Sequence, residues 1–166
     1  MRCVLFGCQQ ILESDDLSPL IRNKILETLK LMCSVIEVTE STEIWTCLVQ
    51  CLMKVTTKNV VDLLDFGGEK VKKLRVLTLM PSTSTERVFD VTVEVLTESS
   101  SVISAGLYAT LEWYLGSVLG EKGHVEWLQR LMASKTVNCE IFAVSVQIIA
   151  NCSEKRQETF DGLFKF

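Results

Sequence analysis

The sequence has few turn-forming residues, a single histidine and no excess of positive charge. Two prolines and eight glycines among 166 residues are too few for an all-β sandwich or barrel, which needs a turn roughly every 8–12 residues. The 21 acidic residues outnumber the 17 basic ones, for a net charge of −4. This charge excludes a general attraction to nucleic acid or to an anionic membrane. One histidine leaves little material for general acid–base catalysis.

Apolar residues are the largest class of residue in the sequence. They make up 48% of the chain, against 23% charged residues, which is enough for a packed core and excludes global disorder. A length of 166 residues is typical of one domain. We therefore predict a single domain over residues 1–166.

The cysteines indicate the compartment. They are Cys3, Cys8, Cys33, Cys47, Cys51, Cys139 and Cys152. The number is odd and most lie in apolar runs, where a free cysteine behaves as a small buried hydrophobe, so we expect a reducing cytoplasm or nucleus. Cys47 and Cys51 share a helix face and offer two metal ligands. Because the one histidine, His124, is distant in sequence, we expect no metal site.

Two segments share some features with membrane and export signals. The apolar stretch 99–120 carries one charged residue, Glu112, but many serines and threonines. It therefore fits a deeply buried helix better than a membrane span. The few apolar residues after Met1 and Arg2 are too short for a signal peptide.

Apolar residues recur at three- and four-residue steps along most of the chain, which predicts helices. The first runs over about 19–38, with Ser18 as its cap and Pro19 in its first turn. Further helices are expected over about 42–56, 59–66, 71–80, 85–98, 100–119, 123–133 and 139–151. Gly67 and Gly68 would end the helix over 59–66, and 135–138 would form a turn. The alternating run Val91–Val95 also fits a strand, but we predict helix because no second strand is available for pairing.

The helix starts form two interleaved series. Starts at about 19, 59, 100 and 136 alternate with starts at about 42, 85 and 122, so each series has a period of about forty residues, typical of helical-repeat arrays. A plain bundle of similar helices would give nearly the same spacing.

One region resembles a known repeat family. The segment 123–134, GHVEWLQRLMAS, resembles the glycine-led helix of an armadillo repeat, 143–150 resembles its packing helix, and 151–158 its polar inter-repeat link. Residues 64–74 show a weaker likeness, and HEAT-type repeats fit nearly as well. The resemblance implies an all-α fold of stacked antiparallel helices in a right-handed solenoid, as a short array or a fragment of one.

The resemblance also implies a function, that of a non-enzymatic scaffold or adaptor that binds a helix or an extended peptide of a protein partner. Many peptide-binding armadillo arrays carry an asparagine on the third helix, and this chain has Ile148 there, with Gln147 one residue away. The binding mode of nuclear-import or catenin-like arrays is therefore not expected, although Gln147 stays a candidate contact.

The other candidate contacts come from charge and aromaticity. Lys72 and Lys73 belong to the basic cluster of Lys70, Lys72, Lys73 and Arg75, which fits either a solvated face or contact with an acidic partner. Trp113 is a candidate because aromatic residues dominate interface energetics. His124 has no nearby nucleophile or paired carboxylate, so we expect a surface or capping role. We expect no catalytic residue and no cofactor.

Two further expectations concern the whole chain. The final segment, with Phe160, Leu163, Phe164 and Phe166, lacks the polar outer face of a capping repeat, so we expect an apolar end face that takes further repeats or a subunit. The alternative fold is a compact Bcl-2-like bundle that binds an amphipathic helix.

Overall fold

The computed structural model describes residues 1–63, 70–98, 103–135 and 139–163. Every regular element in these ranges is helical, which confirms the all-α prediction. The α-helices are α1 (Arg2–Ile11), α2 (Pro19–Val35), α3 (Thr42–Val55), α4 (Val60–Leu63), α5 (Lys70–Leu79), α6 (Thr85–Glu98), α7 (Ala105–Trp113), α8 (Glu121–Ala133) and α9 (Cys139–Leu163). A π-helical turn, Tyr114–Val118, follows α7.

The chain divides into two compact units, residues 1–88 and 89–166, with the division inside α6. Each unit is described by itself below. The prediction of a single domain over residues 1–166 stays a prediction, and so does the solenoid arrangement of the helices.

The first unit is built around α3. This helix packs against α1, α2, α4 and α5, because much of its surface is buried and apolar: Ile44, Trp45, Leu48, Val49, Cys51, Leu52 and Val55. The indole of Trp45 donates a hydrogen bond to the carbonyl oxygen of Glu37 over 3.3 Å. The segment between α2 and α3 is thereby attached to the core.

The second unit is built around α9, against which α7, the π-helical turn and α8 all pack. An aromatic group lies in its core. The ring of Trp127 makes edge contacts with Phe89, at 5.0 Å between centroids, and with Tyr114, at 5.9 Å. Rings of this kind bury large areas and favour edge-to-face geometry.

Helices α2, α3, α6 and α7 each begin at a serine that accepts a backbone N–H in the first turn. These hydrogen bonds run from Ile21 to Ser18, from Ile44 to Ser41, from Arg87 to Ser84 and from Leu107 to Ser104. Each satisfies one of the backbone donors that a helix start leaves unpaired. The predicted cap at Ser18 is confirmed.

The structure differs from the predicted elements at two places and confirms the prediction at a third. The segment 151–158 is not an inter-repeat link, because α9 continues through it. Helix α1 has no counterpart among the predicted helices. The run Val91–Val95 is helical and lies within α6.

Several predicted features lie outside the described residues. They are the Gly67–Gly68 helix end, the start of the helix expected over 100–119, residues 136–138 of the predicted turn, Phe164, Phe166 and the side chains of Phe160 and Leu163. Across the part of the chain that is described, no helix is both long enough and apolar enough to cross a membrane.

Candidate functional site

Lys72 lies on α5, where its ammonium group contacts the end of another helix. Its Nζ donates a hydrogen bond to the carbonyl oxygen of Ser34 over 3.3 Å. Ser34 is in the last turn of α2, where carbonyl groups lack partners within the helix and a positive charge is favourable. Lys72 and Lys73 are both half-buried. Lys72 therefore contributes to the packing of the first unit whether or not it also binds a partner.

Arg75 shows that the basic cluster is not a simple solvated face. Its side chain is only 3% exposed, and Nη2 donates a hydrogen bond to Oγ1 of Thr42 over 2.7 Å. Burial lowers the pKa of Arg75, because removing a guanidinium from water disfavours its charged form. Arg75 joins α5 to the start of α3 and is a structural residue.

Trp113 and Gln147 are in the second unit, on two helices that pack together. Trp113 is the last residue of α7 and is half-buried, and Gln147 is exposed on α9. The structure brings α7 and α9 into contact. The four candidate contacts therefore fall into two pairs, one in each unit.

His124 is not on the surface, so the surface part of its predicted surface or capping role is wrong. The side chain is 5% exposed, and its Nε2 lies 2.6 Å from the carbonyl oxygen of Leu115. A carbonyl oxygen only accepts, so Nε2 carries the proton and donates. His124 fastens α8 to the π-helical turn. A single histidine on an amphipathic helix gave no sequence signal for this role.

The second unit has other buried polar groups that have no signal in the sequence. Thr110 and Ser145 are buried, and the hydroxyl of Thr110 donates to the carbonyl of Gly106 over 2.8 Å. The indole N–H of Trp127 is buried with no hydrogen-bond partner among the described residues. These groups lie on different helices, and the side chain of Thr110 is used within its own helix.

Three thiols interact between α1 and α3 of the first unit. Cys47 donates a hydrogen bond from Sγ to Oε1 of Gln9 over 3.6 Å, and Cys51 lies one helical turn from Cys47 on α3. Burial raises the pKa of Cys51 to about 12, with a further contribution from Cys47. Burial also raises the pKa of Cys8, helped by the same neighbour. Sequence spacing showed Cys47 and Cys51 on one face, but not that α1 brings Cys8 to them.

The chemistry of this thiol group follows from its protonation. The thiolate is the nucleophile and the metal ligand, and the raised pKa keeps Cys51 and Cys8 as thiols at neutral pH. In the described ranges, no three His, Cys, Asp or Glu side chains are arranged to hold a metal ion. The group therefore acts as polar packing between α1 and α3.

Comparisons with protein-family models, with curated proteins and with solved structures gave no match. The armadillo/HEAT-like resemblance stays a hypothesis based on residues 123–160.

Each unit exposes apolar side chains on more than one helix, including Val4, Phe6 and Ile11 on α1 and Val146 on α9. One row in the first unit lies on α2, with Leu20, Leu31 and Val35, and one in the second unit lies on α8, with Val125 and Met132. In both rows exposed polar residues stand between the apolar ones, Lys24 and Glu27 on α2 and Gln129 on α8. These rows and the two pairs of candidate contacts are the candidate surfaces for binding.

Proposed function

We propose that this protein is a non-enzymatic interaction module that holds a segment of a protein partner on an all-helical surface. The observation that carries the proposal is the exposed apolar row on α8, formed by Val125 and Met132. The histidine of the same unit, His124, is buried and hydrogen-bonded to Leu115. Val125 and Met132 stand two turns apart on one helix face, with exposed Gln129 between them. A partner helix or extended segment would cover this row.

The other candidate contacts of the second unit are proposed to bind the same partner. Gln147 is exposed on α9, which packs against α8, and Trp113 is half-buried at the end of α7. Tryptophan is enriched among the hot spots of protein interfaces. Lys73 in the first unit would contact an acidic part of the partner.

The proposal includes a reducing compartment, the cytoplasm or nucleus. It is supported by the seven cysteines, all of which are free thiols. Proteins of oxidising compartments usually pair cysteines in disulfides.

Affinity capture from cells tests the proposal. The tagged protein would be compared with Met132→Asp, Trp113→Ala, Gln147→Ala and Lys73→Glu, and the bound proteins quantified by mass spectrometry. Lys73→Glu is preferable to a change at Lys72, which would also break the contact with Ser34. Lys58→Glu is the matched control, because Lys58 is exposed outside the helices. Circular dichroism would verify that each variant is folded.

We expect a protein that is captured by the wild type and the control but lost from Met132→Asp and Trp113→Ala. If every captured protein binds the four variants as well as the wild type, the proposal is wrong. The solenoid form of the proposal predicts an elongated particle in small-angle scattering, whereas the alternative, a compact bundle that binds an amphipathic helix, predicts a globular one.

A further inference from the structure

Helix α2 buries one apolar face and exposes two leucines on the opposite side. Its buried face consists of Ile25, Leu29, Met32 and Cys33. On the opposite side, Leu20 is 70% exposed and Leu31 is 66% exposed. These two leucines stand about three helical turns apart and therefore point in nearly the same direction. The two leucines mark the ends of a mixed row, with polar side chains between them.

The charges between the leucines have a symmetric arrangement. Lys24 and Glu27 are both exposed and lie on the same face as Leu20 and Leu31. The midpoint between Leu20 and Leu31 falls between Ile25 and Leu26, and it is also the midpoint between Lys24 and Glu27. The order leucine, lysine, glutamate, leucine is thus complementary to itself when the helix direction is reversed.

We propose that α2 is a self-association surface, whose occupant is α2 of a second copy of this chain in antiparallel orientation. A two-fold axis at the shared midpoint places Leu20 opposite Leu31 of the second copy, and Lys24 opposite Glu27 of the second copy. The symmetry repeats both contacts. Such an isologous interface closes as a dimer. A parallel pair would instead place like charges side by side, which is unfavourable.

Glu27 already forms a salt bridge with Lys30 of its own chain. The dimer contact must leave this salt bridge in place. Oε1 of Glu27 lies 3.3 Å from Nζ of Lys30. The carboxylate side chain is nevertheless 69% exposed, and a carboxylate accepts several hydrogen bonds through its two oxygens. Glu27 can therefore contact Lys24 of the second copy without losing Lys30.

The size of the contact sets the expected strength. Helix α2 has 17 residues and is about 25 Å long, so a contact between two such helices belongs to the small, reversible class of interfaces. The inference concerns α2 of the first unit only. A dimer through α2 extends the proposed interaction function, because it names what covers the row of Leu20 and Leu31. It does not depend on the row of α8 or on Trp113 and Gln147.

Sedimentation equilibrium over a concentration series tests the dimer. We expect the wild type to show a reversible monomer–dimer equilibrium, and Leu31→Asp to be monomeric. Lys24→Glu and Glu27→Lys should each raise the dissociation constant roughly tenfold, because each replaces two attractive pairs with two repulsive ones. Arg22→Glu is the matched control, since Arg22 is exposed on the same helix but off the row.

An equimolar mixture of the Lys24→Glu and Glu27→Lys variants gives the decisive result. In the mixed dimer, the carboxylate introduced at position 24 of one chain faces the ammonium group introduced at position 27 of the other. The native Glu27 of the first chain faces the native Lys24 of the second, so every cross-chain pair has opposite charges. The mixture should therefore recover the wild-type dissociation constant, which a folding defect in either variant would prevent.

Two results would overturn the inference. One is a wild type that stays monomeric into the millimolar range, and the other is a dimer unaffected by Leu31→Asp and by charge reversal. Either result leaves capture through Met132 and Trp113 untouched, so failure here is distinguishable from failure of the proposed function.

Discussion

Nε2 of His124 donates a hydrogen bond to the carbonyl oxygen of Leu115 over 2.6 Å, inside the core of the second unit. Leu115 belongs to the π-helical turn, in which the backbone N–H of Leu119 bonds to the carbonyl of Tyr114. The last carbonyls of a helix have no partner in the ladder. The imidazole satisfies one of them and so connects the end of one helical segment to the start of α8.

Removing this hydrogen bond is expected to destabilise the second unit. His124→Phe keeps an aromatic ring but has no donor, which leaves a buried carbonyl unpaired at a cost of about 1–3 kcal/mol in the free energy of unfolding. Urea denaturation followed by circular dichroism and tryptophan fluorescence measures it. Gln129→Ala, at an exposed position of the same helix, should change stability by less than about 0.5 kcal/mol. Equal stability of His124→Phe and the wild type would show that the hydrogen bond contributes nothing.

The close approach of Gly116 to Cys152 gives a second prediction. A Cβ atom on Gly116 would lie 2.9 Å from Sγ of Cys152. Overpacking there costs about 1–3 kcal/mol, and the higher helix propensity of alanine offsets about 0.5–1 kcal/mol of it. Gly116→Ala should therefore lower the free energy of unfolding by up to about 2 kcal/mol. Cys152→Ala removes the sulfur, and the double variant should therefore lose less stability than the two single changes added together. Strict additivity in this double-mutant cycle would contradict the contact.

Gly7 provides the contrast to Gly116. A Cβ atom there would meet nothing within 4 Å, and the residue lies inside α1. Gly7→Ala should therefore raise the free energy of unfolding by about 0.5–1 kcal/mol, because alanine loses less backbone entropy in a helix. The same urea denaturation measures the change, and a loss of stability would contradict the open space beside Gly7.

The buried thiol of Cys33 predicts a loss of stability at high pH. Burial raises its pKa from 9.0 to about 11, although Lys72 partly opposes the shift. The folded state therefore holds its proton more tightly than the unfolded state. The stabilisation is fully present below the unfolded-state pKa and is lost as the pH rises from about 9 to about 11.

The measurement compares the wild type with Cys33→Ala by urea denaturation at several pH values. The alanine variant lacks this titration, so the stability difference between the two proteins should shrink by about 1.4 kcal/mol between about pH 8 and pH 10. Other titrating groups are common to both proteins and cancel. A difference that stays constant with pH would mean that the Cys33 thiol titrates alike in the folded and unfolded states.

The serine caps give a further prediction, best tested at Ser104. Its Oγ accepts a hydrogen bond from the backbone N–H of Leu107 over 3.2 Å. Ser104→Ala should lower the free energy of unfolding by about 1 kcal/mol, whereas Ser104→Asp keeps the cap and should be close to neutral. Ser14→Ala, at an exposed position between α1 and α2, is the control. If the aspartate and alanine variants lose equal stability, the cap is not the cause.

Helix positions were largely predictable, and the reason is local. Ser18 followed by Pro19 marks a helix start by capping chemistry, and apolar spacing marks the buried face after it. The prediction of a link over 151–158, which is wrong, relied on likeness to a repeat pattern. Lys155, Gln157 and Glu158 are good helix formers with no proline or glycine among them, so propensity favours the continuous α9.

The candidate site was less predictable, because its residues depend on packing between helices. Lys72 and Arg75 look like a basic surface cluster in the sequence, yet their partners, Ser34 and Thr42, lie on other helices. Cys8 is similarly far in sequence from Cys47. Periodicity along one helix identifies a buried face but not which residue of another helix lies against it.

The sequence by itself determines that the described chain is helical and where most helices begin, because caps, breakers and apolar spacing act over a few residues. Tertiary structure alone decided that His124 is buried and bound to Leu115, that Arg75 is a core residue and that the leucines of α2 are left exposed. These outcomes depend on contacts between distant segments, where the cost of burying a polar group is offset only once its partner is in place.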